Sequence, residues 1–197
     1  KRLGCRPPIP VGIRVGKNAT TRLELANEDY AAATQQLAPL ADCVSINVSS
    51  PNTSGLRSLQ TEDQVRRLVR EVYAVRQGKP LFVKVAPELE GAALAGVVSA
   101  ALSEGAAGLI GTNTLAKRDA SGQTIGGESG RPLQELARLR VSQLRQLAGD
   151  SAILIGVGGV DSIRSARAMY DAGADLIQIY SGLVYEGPFL ARKLAQG

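Results

Sequence analysis

The sequence predicts an α/β fold, a (β/α)8 TIM barrel truncated to about six βα units, and three observations predict it. Helix-like stretches alternate with short, nearly continuous apolar runs, the pattern of strands buried on both faces of a parallel sheet. Each apolar run empties into glycines or polar residues at its C-terminal end, where barrel enzymes carry their chemistry. No Gly-x-Gly-x-x-Gly opens the first helix, which disfavours a doubly wound dinucleotide-binding sheet. A complete barrel needs eight strands and about 250 residues. The 197 residues are therefore expected to hold about two units fewer, and 1–197 is read as a single domain.

The elements follow in order. Pro10-Val11-Gly12-Ile13-Arg14-Val15-Gly16 reads as a short strand that turns out through Gly16-Lys17-Asn18. Glu28 to Leu40 is alanine-rich and helix-like, with Asn27 as a candidate cap, and it leads to a strand at 43–48. Thr61-Glu62-Asp63-Gln64 has the form of a capping box, and Val65, Leu68, Val69 and Val72 follow at helical spacing with arginines opposite. Gly78-Lys79-Pro80 ends that helix, and Leu81-Phe82-Val83-Lys84-Val85 is a strand stopped by Ala86-Pro87. Ala92 to Ser103 is a helix closed by Gly105, and a strand from Gly108 runs into Gly111-Thr112-Asn113-Thr114. The polar, glycine-rich segment 115–130 is expected to be a long loop. Leu133 to Leu147 is a helix, and a strand from Ala152 to Gly156 runs into Val157-Gly158-Gly159-Val160. Ser162 to Ala172, Gly173 and the run from Asp175 to Gly182 then repeat the grammar of helix, glycine and strand.

With 44% hydrophobic residues the chain can bury a sizeable core, and nothing in its composition signals disorder. Cys5 and Cys43 have no metal-ligand spacing and read as the reduced thiols of a cytoplasmic protein. The complete absence of histidine excludes Ser-His-Asp catalysis and His-ligated metal sites. The formal charge is +5, but the basic residues are spread along helical faces, as in Arg66-Arg67-Arg70 and Arg138-Arg140-Arg145, and aromatics make up only 4%. Small anionic ligands therefore fit better than nucleic acid. No apolar run approaches the roughly 20 residues of a membrane span and no signal peptide opens the chain, so the chain itself is expected to be soluble. It opens Lys1-Arg2-Leu3-Gly4-Cys5 without an initiator methionine, which raises the expectation of sequence upstream.

Five strand ends offer chemistry. Asn47-Val48-Ser49-Ser50-Pro51-Asn52-Thr53 presents two amides and a hydroxyl, with Pro51 preventing continuation as ladder or helix; the same residues also make an ordinary Ser/Asn/Pro turn. Gly156-Val157-Gly158-Gly159 and Tyr180-Ser181-Gly182 are the paired loops that commonly hold a phosphate in barrels, although close strand–helix packing also calls for glycine. Lys84, at a strand end among apolar neighbours, could form a Schiff base, stabilise an anionic flavin ring or snorkel to solvent. Thr112-Asn113-Thr114 suits an imide or carboxylate ligand, or simply caps its strand.

Asn-Val-Ser-Ser-Pro-Asn-Thr at 47–53, followed by Gly55-Leu56-Arg57, resembles the catalytic loop of dihydroorotate dehydrogenases, the FMN enzymes of pyrimidine synthesis. The membrane-associated, quinone-reducing class 2 of that family has serine at the position of Ser50, where the soluble class has cysteine. The resemblance implies a flavoprotein oxidoreductase that oxidises dihydroorotate to orotate and passes the electrons through FMN to a quinone. Ser50 would remove the proton from the substrate's C5 while hydride leaves C6 for flavin N5. It further implies that Asn47, Lys84, Thr112, Gly130, Gly159, Tyr180 and Ser181 bind FMN, and that Asn47, Asn52, Asn113 and Thr114 bind the substrate, with no metal. Peripheral contact with the cytoplasmic face of the cell membrane would run through a region before Lys1.

Two positions depart from the family pattern. Arg14 stands where the family carries an asparagine against FMN, and a guanidinium cannot accept a hydrogen bond. Glu128 stands in place of a leucine. The rival readings are another FMN-dependent barrel oxidoreductase, a Schiff-base lyase using Lys84, and a fragment inactive on its own.

Overall fold

The computed structural model of the chain describes residues 9–53 and 55–196; Cys5 and Ser54 lie outside them. The first half runs β1 (Gly12–Val15), α1 (Ala26–Leu37), β2 (Cys43–Asn47), α2 (Glu62–Val75), β3 (Leu81–Val85), α3 (Gly91–Ser103) and β4 (Gly108–Gly111). A hairpin of β5 (Leu115–Arg118) and β6 (Thr124–Glu128) follows. The second half runs α4 (Gln134–Ala148), β7 (Ile153–Val157), α5 (Ile163–Asp171), β8 (Leu176–Gln178), α6 (Ser181–Glu186) and α7 (Leu190–Gln196).

Six strands form one sheet in the order β1-β2-β3-β4-β7-β8, and every neighbouring pair is parallel. This is the sequential order of a barrel wall, and it arises because each helix crosses over to bring the next strand alongside the last. Side chains alternate along each strand, so the sheet has two distinct faces. Val44, Ile46, Val83, Val85, Leu109 and Leu154 point to the face covered by helices, where they meet Val65, Leu68, Val69 and Val72 of α2 and Leu94, Val97 and Val98 of α3. Burying each such side chain contributes roughly 1.5–3 kcal/mol. On the other face Phe82, Ile110 and Ile155 form a small separate cluster.

The strands and most helix boundaries fall where the periodicity places them, and the differences have local causes. Asn27 does not cap α1: a 3-10 turn at Leu23–Leu25 leads straight into the helix, and Asn27 Nδ2 instead donates to Glu71 Oε1 of α2 at 2.9 Å. At Thr61 only half of the capping box forms. Its hydroxyl accepts from Gln64 N at 3.4 Å, while Glu62 pairs with Arg66 at 2.8 Å. The segment 115–130 is no loop but the antiparallel β5–β6 hairpin, whose turn is knit by Asp119 Oδ1 accepting from Ser121 N and Gln123 N. Glu128 accordingly sits in a strand, opposite Leu115. The strand beginning near Asp175 is shorter than expected because Ser181 already starts α6.

The arginines of α4 are not simply a solvated face. Arg140 is buried, and its Nε and Nη2 donate to Pro87 O of the loop after β3 at 3.1 and 2.8 Å. Arg145 reaches Gly173 O, Ala152 O and Asp175. Both guanidiniums donate to loop carbonyls beside strand and helix ends, which is why they point inward.

Candidate active site

Strand parity and register together assemble the site. Arg14 pairs with Ser45 and Asn47 pairs with Lys84 across the β1-β2-β3 ladder, so Arg14, Asn47 and Lys84 share the face opposite the helices, with Thr112 in phase one residue beyond β4. A cavity of about 480 Å3 opens at the C-terminal ends of the strands. Every candidate residue named from the sequence lines it: Asn47, Ser50, Asn52, Lys84, Thr112, Asn113, Thr114, Gly130, Gly159, Tyr180 and Ser181. Arg14, Ser129, Gly158 and Gln178 join them. A hollow of about 510 Å3 between α4 and α5, lined by Arg131, Arg138 and Arg164, contains none of those candidates.

The polar groups are held by one another. Asn47 Oδ1 accepts from Asn113 Nδ2 at 3.0 Å and from Ser49 Oγ at 3.2 Å, and Asn113 Nδ2 also reaches Ser49 Oγ at 3.0 Å. Asn113 Oδ1 accepts from Thr114 N at 2.8 Å, and Thr112 Oγ1 donates to Asn113 O at 2.9 Å. The carbonyls of both asparagines are thereby committed within the protein, which orients their amide donors. Tyr30, fully buried on α1, donates to Asn47 O at 2.6 Å and fixes the end of β2. Burial pushes its phenol well above the usual range, so it stays a neutral donor. No sequence signal singled out Tyr30, because an aromatic in an alanine-rich helix reads as ordinary core. The Ser50 hydroxyl accepts from Asn52 N at 3.3 Å, a tight local turn around Pro51.

Across the cavity lie the glycine loops. Gly158 and Gly159 have φ of 152° and 70°. A side chain at Gly158 would collide with Ala137 Cβ, and one at Gly159 would meet Gln134 Cγ and Gly130 O at 2.5 Å. Packing against α4 therefore demands both glycines by itself. The packing requirement does not account for the polar rim beside them, where Ser129 Oγ lies 2.7 Å from Ser181 Oγ and Tyr180 stands 80% exposed at the border.

The cavity has an uncompensated positive charge. Its lining includes Arg14 and Lys84 and no carboxylate. Lys84 is 7% exposed. Burial lowers its pKa from the ordinary 10.5 to about 8, with the nearby Arg14 charge as the second cause. A depression of that size corresponds to on the order of 3 kcal/mol against the folded, charged state. The sign follows from proton counts. Below pH 8 folded and unfolded chains both hold the proton and the penalty is fully present; between about 8 and 10.5 only the unfolded chain holds it, so stability rises with pH. Lys84→Met is thus expected to raise the melting temperature at pH 7 without ligand, by a margin that shrinks as the pH climbs from 8 to 10.5. A margin independent of pH would show that Lys84 is not a buried charge.

A polar pocket with two cations, two oriented amides, a strand-end serine and a glycine-walled far side can receive a small anionic ligand. Comparison with known proteins supplies the family. The family profile described as dihydroorotate dehydrogenase matches residues 2–197. The dihydroorotate dehydrogenase (quinone) of Prochlorococcus marinus (strain MIT 9313) is 43% identical over an alignment of 206 residues, covering 98% of this chain and 52% of that protein. The protein of the same name from Chloroflexus aurantiacus (strain ATCC 29366 / DSM 635 / J-10-fl) is 42% identical over 203 residues, covering 95% and 56%. The crystal structure of DHODH from Eimeria tenella in complex with ferulenol superposes with a TM-score of 0.85 at 30% identity, over 94% of this chain and 56% of that one. The chain spans about half the length of the curated relatives it matches.

Proposed function

The chain belongs to the dihydroorotate dehydrogenase family, and on that premise we propose that it supplies the cofactor- and substrate-binding wall of an enzyme that oxidises dihydroorotate to orotate. The electrons would pass to a quinone, as the names of its relatives indicate, in the synthesis of UMP. The observation that carries this reading is the convergence of Asn47, Ser50, Lys84, Thr112, Asn113 and the Gly158–Gly159 loop on one cavity. The Schiff-base lyase is set aside by the family assignment, although the lowered pKa of Lys84 would serve an amine nucleophile.

The family is flavin-dependent, and we assign FMN as the flavin. The residues present fit it: a largely buried lysine in a cavity without carboxylates favours a group that becomes anionic, and a glycine wall with Ser181 admits a phosphate. When bound, FMN supplies the hydride acceptor. Lys84, Thr112, Gly130, Gly159, Tyr180 and Ser181 would hold it, Lys84 by placing positive charge at the ring. Asn47, Asn52, Asn113 and Thr114 would orient the substrate's imide and carboxylate, with Asn113 held in place by its bonds to Asn47 and Ser49. Ser50 would take the C5 proton.

No helix of the described residues is long and apolar enough to cross a membrane; peripheral attachment at the cytoplasmic face and the quinone site are assigned to segments other than these. Among the described residues β1 and β8 each have one unpaired edge, and Val184, Tyr185 and Phe189 are at least 75% exposed. The 197 residues by themselves are accordingly expected not to sustain turnover. The test joins them to the N-terminal portion of the Prochlorococcus relative. A yellow preparation whose flavin band bleaches anaerobically with dihydroorotate and returns with quinone is expected; an FMN-loaded chimera that dihydroorotate leaves oxidised would refute the reading.

Arg14 gives a sharper test in the same preparation. It lines the cavity beside Lys84, adds a second cation, and cannot accept a hydrogen bond as the family's asparagine can. Arg14→Asn is expected to tighten binding of oxidised FMN, read by quenching of flavin fluorescence. Weaker binding would mean that Arg14 itself contributes to holding the cofactor.

A further inference from the structure

One guanidinium gathers three loops that leave three different strands. Arg57 sits in the 3-10 turn Leu56–Leu59, just beyond the Ser50 loop. Its Nε donates to Ser49 O at 3.0 Å, next to Ser50, and its Nη2 donates to Thr114 O at 2.8 Å, at the end of the Thr112-Asn113-Thr114 segment. Its Nη1 pairs with Glu88 Oε1 at 2.6 Å, from the loop after β3. Glu88 Oε1 accepts a further bond from Ala116 N of β5 at 2.7 Å. The Arg57 bonds to Ser49 O and Thr114 O are part-buried, whereas the pairing with Glu88 lies open to water.

The hairpin presses on the same point. A side chain at Gly127 of β6 would collide with Thr114 Oγ1 and would approach Pro51 Cγ to 3.1 Å. The absence of a side chain therefore lets the hairpin lie directly on the Ser50 loop. Only an arginine can make this junction, because three separate N–H directions from one rigid plane reach acceptors on separate loops. A lysine ammonium is a single point on a flexible stem.

We propose that Arg57 is a positioning residue, which with Glu88 locks the Ser50 loop, the loop after β3 and the β5–β6 hairpin into one body, so that Ser50 and Asn113-Thr114 meet the substrate in a fixed mutual geometry. The kinetic consequence rests on the dihydroorotate reading, whereas the locking does not. A merely local role would have Arg57 stabilise its own turn and nothing across the cavity.

The test separates these. Hydrogen exchange on the unliganded 197-residue chain should show, for Arg57→Lys, faster exchange in residues 49–53 and 114–118 together, by about tenfold, since losing one or two of these bonds shifts local opening by that order. β2 and β4 should be unchanged. Glu88→Gln keeps an acceptor for Ala116 N but loses the charge, and should show the same pattern more weakly. Faster exchange confined to 55–59, or in only one of the two distant segments, would overturn the proposal, and the two milder variants keep it testable if Arg57→Ala does not fold. In the chimera, Arg57→Lys should slow flavin reduction by dihydroorotate about tenfold or more and leave FMN affinity and reoxidation by quinone at parent values. Unaltered reduction would overturn the positioning role. If dihydroorotate does not reduce the parent chimera, the exchange pattern still decides the locking.

Discussion

Ser50→Ala is expected to slow reduction of the flavin by dihydroorotate roughly 10²–10⁴-fold, the range that positioned proton transfer supplies, while substrate affinity changes little. The expectation follows from where the structure puts the hydroxyl. Ser50 lies on the wall of the cavity, in a loop pinned through Ser49 O and the Asn52 N to Ser50 Oγ bond, and no histidine exists in the chain to act as base in its place. A serine is a poor base in water, so it must hand its own proton to a neighbouring hydroxyl or to water as it receives one from carbon. That relay needs a positioned loop; alanine removes the relay together with the Asn52 N to Ser50 Oγ bond, while the Arg57 Nε bond to Ser49 O still holds the loop. Reoxidation by quinone should be untouched. Anaerobic stopped-flow of the two half-reactions reads both quantities, and an alanine variant that reduces its flavin at the parent rate would leave Ser50 a turn hydroxyl.

Gly108→Ala should have the largest effect on stability, lowering it by roughly 3 kcal/mol or more. Gly108 opens β4 opposite Ile153 of β7, and a methyl group there would run into the Ile153 backbone, with Ile153 N only 2.9 Å away. A side chain can rotate aside, but the backbone of a hydrogen-bonded strand cannot, so β4 and β7 must separate at this end. For a chain of this size the loss corresponds to a fall of about 6–12 °C in melting temperature. Gly126→Ala is the matched control, since its added methyl meets nothing within 4 Å and should leave stability nearly unchanged. Equal melting temperatures for both variants would show that β4 and β7 tolerate separation. Cofactor binding should weaken with Gly108→Ala too, because the two strands deliver Thr112 and Gly158–Gly159 to the same cavity.

What could be read from the sequence was whatever a short range decides. Nearly continuous apolar runs such as Leu81–Val85 and glycine punctuation such as Gly105 and Gly173 marked the strands and the helix ends, because backbone sterics and burial act over a few residues. The polar strand ends marked the cavity, because buried parallel strands leave their C-terminal ends as the place where polar side chains can converge. The segment 115–130 read as a long loop because its residues are polar and glycine-rich, too polar to look like strands, so the β5–β6 hairpin was hidden. Only the tertiary structure decided that Tyr30 fixes the end of β2, that Arg140 is turned inward to Pro87 O, that Arg14 and Lys84 share one cavity without a carboxylate, and that Arg57 ties together Ser49, Glu88 and Thr114. The physical reason is common to all four. Each depends on which carbonyl or charge another element, often dozens of residues away, brings within hydrogen-bond or Coulomb range, and no local propensity or periodicity carries that information.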